Sequence, residues 1–206
     1  MQVFDTLHTM QWIIAGLGNP GSEYDGTRHN VGRDFLLAFA KKNASGEWKD
    51  DKKIHGSSMK TDLFGKKALL VLPDTYMNNS GKAFISIVGS KKQAEQLVVL
   101  QDELDLPLGT VKISFGSSAG GHRGVDSIQK ALKTKDFVRI RIGISPSTSS
   151  GRIRKPESEK VVDFVLGAFK ATEEDRLKKM RKTVFEAIEL LLTEGREVAT
   201  MQTHTK

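Results

Sequence analysis

Four side chains in this sequence have the types and positions to carry out a hydrolysis: Asn19, His29, Asn78 and Asp102. An imidazole that titrates near neutrality can take a proton from water. A carboxylate bonded to its other nitrogen would fix the tautomer and stabilise the cation formed during reaction. Amide donors can stabilise charge developing on a carbonyl oxygen. His29 stands where the first predicted helix begins, and there the helix dipole disfavours imidazolium, so a neutral ring is expected near pH 7. Other chemistries are poorly served. There is no cysteine, the five histidines never pair at i, i+4, and neither HExxH nor a carboxylate–His cluster occurs, so no metal is expected. A seryl nucleophile lacks its G-x-S-x-G turn. Hydrolysis by a His-activated water remains. Each residue taken singly also suits a structural role: His29 as a capping or surface group, Asp102 in a turn, Asn78 in an Asx turn or as an N-cap, and His122 as the start of the helix after the glycine loop.

The elements that must position these residues begin with Trp12 to Gly32. Its apolar run Trp12-Ile13-Ile14-Ala15 ends in Gly16 and Gly18, the pattern of a core strand leaving a sheet through a tight turn. Gly16, Gly18 and Gly21 also spell the dinucleotide fingerprint G-x-G-x-x-G. That motif needs a helix starting at the glycines and an acidic residue roughly 20 positions on. Pro20 and the polar stretch to Thr27 delay the helix, and Lys41 and Lys42 stand where the acid would be, which argues against a dinucleotide enzyme. Val31, Phe35, Leu36 and Phe39 give a helix over 30–42, followed by a polar loop over 43–51. Residues 58–72 read as a hairpin turning at Gly65-Lys66, 74–80 as a loop, and 83–88 as a short helix. A buried strand at 97–100 leads into Gln101-Asp102-Glu103-Leu104-Asp105. A strand over 110–115, the Gly116 to Gly121 loop and a helix marked by Val125, Ile128 and Leu132 follow.

The stretch 138–144 alternates apolar residues with Arg139 and Arg141, a half-buried strand with one basic face. Residues 145–158 read as a mobile surface loop. Thr172 is the expected N-cap of a last helix whose period runs through Leu177, Met180, Val184, Ile188 and Leu191 until Gly195. Residues 1–10 and about 198–206 are expected to be flexible ends. No repeat or linker divides the 206 residues. One α/β domain is expected, with a mixed, twisted sheet covered by helices on both faces. If the strands before Asn19, Asn78 and Asp102 run parallel, all three residues meet at one end of that sheet, where clefts form.

Thirty-two Lys and Arg against twenty-five Asp and Glu leave a net charge of +7, which suits a polyanionic partner such as RNA and equally suits ordinary solubility. No run approaches the roughly 18 apolar residues of a membrane span. The first eleven residues lack the pattern of a secretory signal. An intracellular, cytoplasmic protein is expected, with a mitochondrial pool conceivable for a eukaryotic source.

The motifs GLGNPGSEYDGTRHNVG, TYMNNSGKA, DELDLPLG and GGHRG, with VRIRIGI and KVVDFVLGAF later, resemble the bacterial-type peptidyl-tRNA hydrolase family over nearly the whole chain. The resemblance implies a monomeric esterase, an aminoacyl-tRNA hydrolase without metal or cofactor, that frees tRNA from peptidyl-tRNA at its 3′-terminal ribose. By resemblance, His29 is the general base and Asp102 orients it. Asn19 reads the peptide backbone, and Asn78 lies beside the water and scissile carbonyl. Tyr24 and Tyr76 contact substrate, while Lys112 and Arg141 hold tRNA phosphate. Arg123 replaces the family's usual Asn, Ser114 replaces a second basic residue, and Gln101 stands where His is frequent, which bears on the tRNA contacts around the glycine loop. The other implied reading is an RNA-binding protein on the same scaffold, like the plant organelle splicing factors.

Overall fold

Seven strands form one mixed sheet in the order β2-β3-β4-β1-β5-β7-β6, and the computed structural model describes residues 11–148 and 152–204. The strands are β1 (Trp12–Gly16), β2 (Lys49–Asp51), β3 (Gly56–Leu63), β4 (Lys66–Pro73), β5 (Leu97–Pro107), β6 (Val111–Phe115) and β7 (Val138–Ser145). The inner four, β4, β1, β5 and β7, run parallel; β3 and β6 are antiparallel to their neighbours. Helices α1 (Val31–Asn43), α2 (Lys91–Ala94), α3 (Arg123–Leu132), α4 (Val161–Leu166), α5 (Glu174–Thr193) and α6 (Arg196–His204) join them, with 3₁₀ turns at Ser22–Tyr24, Arg28–Asn30 and Met77–Ala83.

Inner strands must be apolar on both faces, and their alternation divides the core in two. Ile14, Leu70, Val98 and Ile140 join Phe35, Leu36 and Phe39 of α1 and Val184, Ile188 and Leu191 of α5. Ile13, Val71 and Val99 point the other way, against Phe84 and α3 residues Val125 and Ile128. Each such buried side chain contributes about 1.5–3 kcal/mol relative to an exposed one.

Several expectations are corrected. The strand expected to stop at Leu100 continues to Pro107, because pairing with β7 carries it through Asp102 and Glu103. The 43–51 loop includes β2, a strand held by β3 rather than by any apolar pattern. The hairpin turns at Phe64-Gly65, both at positive φ (51° and 75°), one residue before the expected turn. A 3₁₀ helix at Met77–Ala83 occupies most of the expected 74–80 loop, and the short helix expected at 83–88 is a turn after Ala83. Glu173, not Thr172, precedes α5, after a 3₁₀ turn over Ala171–Glu173. The expected frayed end is helix α6 instead: Ala199 and Thr203 are buried, and the Arg196 guanidinium lies 3.7 Å from the centroid of the Phe115 ring. Residues 1–10, 149–151 and 205–206 lie outside the described residues; within 145–158, Ser147 pairs with Ile153 in a short bridge.

Candidate active site

The cleft sits at the carboxyl ends of β1, β4 and β5. Gly16 and Gly32 set its floor. A Cβ at Gly32 would lie 2.3 Å from the Leu100 carbonyl oxygen, and one at Gly16 2.6 Å from the Gly32 carbonyl, so only glycines let the start of α1 rest directly on β5. The Leu17 amide donates to the same Leu100 oxygen at 3.0 Å. His29, three residues before Gly32, is thereby held over Asp102, two residues beyond Leu100.

His29 Nδ1 and Asp102 Oδ1 are 2.9 Å apart, and His122 Nε2 reaches the same oxygen at 2.9 Å. Backbone N–H groups of Gly124 and Val125 donate to His122 Nδ1 at 3.1 and 3.3 Å, so that nitrogen carries no proton and Nε2–H donates to Asp102. His122 is thus the N-cap of α3 and a support of the carboxylate at once. With Asp102 accepting at Nδ1–H, His29 Nε2 is left as the basic nitrogen at the cleft.

Burial disfavours the charged form of Asp102, but the two imidazoles and their hydrogen bonds outweigh it and hold the carboxyl well below its usual range. Burial likewise lowers the pKa of His29, and the Arg123 charge lowers it further, yet the Asp102 charge and hydrogen bond prevail and raise it above the usual 6.5. This direction is opposite to the lowering expected from the helix dipole. His29 lies in the 3₁₀ turn ahead of α1, and the adjacent carboxylate decides its titration.

The amides are set with equal care for direction. Asn19 Oδ1 accepts the Met77 N–H at 2.8 Å, which turns Nδ2 into the donor facing the cleft. Asn30, fully buried, accepts from the Asn19 N–H at 2.8 Å and donates to its carbonyl at 3.0 Å, holding the loop in place. Asn78 is exposed on the 3₁₀ turn at Met77–Ala83, and its side chain makes no hydrogen bond among the described residues.

The cleft, about 440 Å³, brings together Asn19, His29, Tyr76, Asn78, Asp102 and Arg123. It does not include Tyr24, Lys112 or Arg141 in its lining. Arg141 donates from Nε to Glu103 Oε2 at 2.8 Å, with Lys112 opposite it in register on β6. The expected basic strand face is largely internal: Arg139 is buried and donates to the Ser118 carbonyl.

One wall is apolar, formed by Val161, Val162, Val165 and Leu166 of α4. Arg28 fastens this wall to the turn that carries His29. Its guanidinium is 4.8 Å from the ring centroids of both Phe164 and Phe169, donates to the carbonyls of Gly167 and Ala168, and pairs with Glu173 Oε2 at 2.8 Å.

Sequence reasoning missed Asn30, Glu103, Arg28 and the carboxylate-supporting role of His122. The GGHRG and TRHN motifs contained three of them, but nothing in a string of residues says which side chains point inward. His29, Asp102 and His122 also offer ligand atoms within 4.8 Å of one another, a spacing a metal could use. Both imidazoles are instead hydrogen-bonded to the one carboxylate oxygen, which accounts for the cluster without an ion.

An imidazole backed by a carboxylate, with an amide donor beside it, at one end of a parallel-centred α/β sheet is an arrangement suited to hydrolysis by an activated water. The chain belongs to the peptidyl-tRNA hydrolase family, whose model matches residues 13–206. It is 41% identical to a peptidyl-tRNA hydrolase of Dehalococcoides mccartyi, covering 91% of this chain and 96% of the relative. It is 39% identical to that of Nocardia farcinica, over 93% and 95%. The crystal structure of the Acinetobacter baumannii peptidyl-tRNA hydrolase superposes with a TM-score of 0.84 at 31% identity, covering 95% of each chain.

Proposed function

We propose that this protein hydrolyses the ester between a peptide, or an N-blocked amino acid, and the 3′-terminal ribose of tRNA. His29 Nε2 takes a proton from a water in the cleft, and the water oxygen attacks the ester carbonyl. Asp102 stabilises the imidazolium that forms. Asn78 donates to the developing oxyanion. The ribose oxygen leaves and recovers the proton from His29, so acid and free tRNA are the products. Asn19 Nδ2 donates to the first peptide carbonyl, which separates peptidyl-tRNA from aminoacyl-tRNA. Tyr76 and Arg123 meet the acceptor end at the rim; Lys112 and Arg141, outside the cleft, take phosphates further along, and Tyr24 contacts substrate from the turn before His29.

The observation that carries this reading is the chain of hydrogen bonds from the α3 backbone through His122 and Asp102 to His29, which leaves one basic nitrogen at the cleft. We infer a monomer acting in the cytoplasm without a metal, as the family resemblance implies. Among the described residues no helix is long and apolar enough to cross a membrane. The test is turnover of N-acetylated aminoacyl-tRNA against the same tRNA carrying a free amine. Rapid release from the blocked substrate alone is expected. Tight tRNA binding without release from either would instead favour an RNA-binding protein on this scaffold.

A further inference from the structure

A second groove lies at the other end of the molecule. It is about 600 Å³ in volume, between the last turn of α1, the middle of α5 and the tip of the β3–β4 hairpin. His29 precedes the first residue of α1, whereas Lys41 and Lys42 occupy its last turn, so α1 separates the groove from the cleft by about 20 Å at 1.5 Å per residue.

Five cations line the groove: Lys41, Lys42, Lys178, Arg181 and Lys182. Two acids, Glu186 and Glu189, accompany them. Lys178 pairs with Glu174 at 3.1 Å and Lys182 lies 3.9 Å from Glu186, while Lys41, Lys42 and Arg181 enter no ion pair among the described residues. Lysines at the end of α1 complement its dipole. That reason does not extend to Arg181 and Lys182, which lie mid-helix on one stripe of α5 with Lys178 and Phe185.

The hairpin tip adds an aromatic ring. Phe64 is exposed and stands at φ 51° in a two-residue turn with Gly65, a conformation for which Asn or Gly is favoured. Core packing does not account for a phenylalanine there. The turn holds its ring at the rim of the cationic groove.

A cationic track with a fixed, solvent-facing ring is the arrangement that binds single-stranded nucleic acid: the charges follow the phosphates, and a base stacks on the ring irrespective of sequence. We propose that this groove binds a single-stranded RNA segment, independently of the catalytic cleft.

The experiment is a fluorescence-anisotropy titration of a labelled short oligouridylate at several salt concentrations. Lys41→Glu combined with Arg181→Glu is expected to weaken binding at least about tenfold and to lower the log–log salt slope by about 1.4, two phosphates at roughly 0.7 each. Phe64→Asn, which suits the left-handed turn and so keeps the hairpin folded, is expected to weaken binding several-fold and leave the slope unchanged. Lys41→Gln with Arg181→Gln serves if charge reversal disturbs the fold by circular dichroism. Saturating turnover on N-acetylated aminoacyl-tRNA should stay at the wild-type level in all of them, which separates this site from the catalytic reading. Unchanged oligouridylate affinity in the charge variants overturns the proposal. So does an effect of charge without any effect of Phe64→Asn, or polyglutamate binding as tightly as oligouridylate, since either would leave a charged patch with no claim on RNA.

Discussion

The floor and the rim of the cleft are built on opposite terms. On the floor, Asn19, Asn30 and Asp102 are buried, and hydrogen bonds to named partners fix their directions. On the rim, Tyr76 is 59% exposed, and Asn78 and Arg123 are exposed with no side-chain hydrogen bond among the described residues. The floor therefore pays its ordering cost during folding and needs no reorganisation when charge develops. The exposed rim side chains have no such partners among the described residues. The same division governs what substitutions should change: turnover and its pH dependence at the floor, affinity at Tyr76 and affinity with its salt dependence at Arg123, while Asn78, as the proposed oxyanion donor, should act on turnover from the rim.

The largest effect should come from His29→Ala. Loss of a general base costs on the order of 10²–10⁴ in turnover, and single-turnover rates on N-acetylated aminoacyl-tRNA would measure it. A folded His29→Ala protein that kept near-wild-type turnover would sink the division, because the floor would then hold no base.

Asp102→Asn should lower turnover less, by roughly 10²-fold, and also move the pH profile. In the wild type Asp102 raises the His29 pKa, so the base form accumulates only above the usual 6.5. Without the carboxylate the ring gives up its proton more readily, and the acid limb of the rate profile should shift to lower pH. A limb that stayed put, or moved upward, would mean that Asp102 does not control this titration.

Behind the floor, Asp34 in the first turn of α1 carries a cost. Burial, with the neighbouring Asp25 charge, raises its pKa to about 6, against a lowering hydrogen bond from the Gly26 backbone and the Arg33 charge. A carboxyl whose folded pKa lies above its unfolded value contributes stability that is complete below the unfolded pKa, near 3.8, and is lost as pH rises through about 6. Asp34→Asn should thus gain on wild type by on the order of 1–2 kcal/mol as pH rises from about 3.8 through about 6, partial exposure screening the remainder. Urea midpoints of both proteins across that window check the sign, and a constant difference would contradict it.

The smallest effect belongs to the rim. Arg123→Ala should weaken tRNA binding and reduce its log–log salt slope by about 1, leaving saturating turnover nearly unchanged. If turnover fell and the slope held, Arg123 would belong with the floor, and the boundary between the two regions would have to be redrawn. Loss of its charge should also let the His29 pKa rise slightly, since Arg123 now opposes protonation of the ring.

Periodicity made several elements legible. The i, i+4, i+8 apolar positions of α1 and the alternation of β7 mark helix and strand where both occur, although β7, expected to be half-buried, is buried on both faces except at Arg141. Elements held by distant partners were not legible. β2 has no apolar pattern because β3 supplies its hydrogen bonds; the second half of β5 reads as acidic loop although distant partners hold its carboxylates, His29 and His122 at Asp102 and Arg141 at Glu103; α6 is polar because it caps a sheet edge with Ala199, Thr203 and a stacked Arg196.

For the candidate site, residue types in the motifs determined the available chemistry: a histidine, a carboxylate and amides, with no thiol and no metal-spaced pair. Tertiary structure alone decided which groups meet and which atoms remain free. The contact of Gly32 with Leu100 brings His29 to Asp102 across 73 residues of chain, the α3 backbone selects the His122 tautomer, and the Met77 N–H turns the Asn19 amide toward the cleft. A hydrogen bond's direction depends on the position of its partner, and these partners are brought together only by packing the two faces of one sheet.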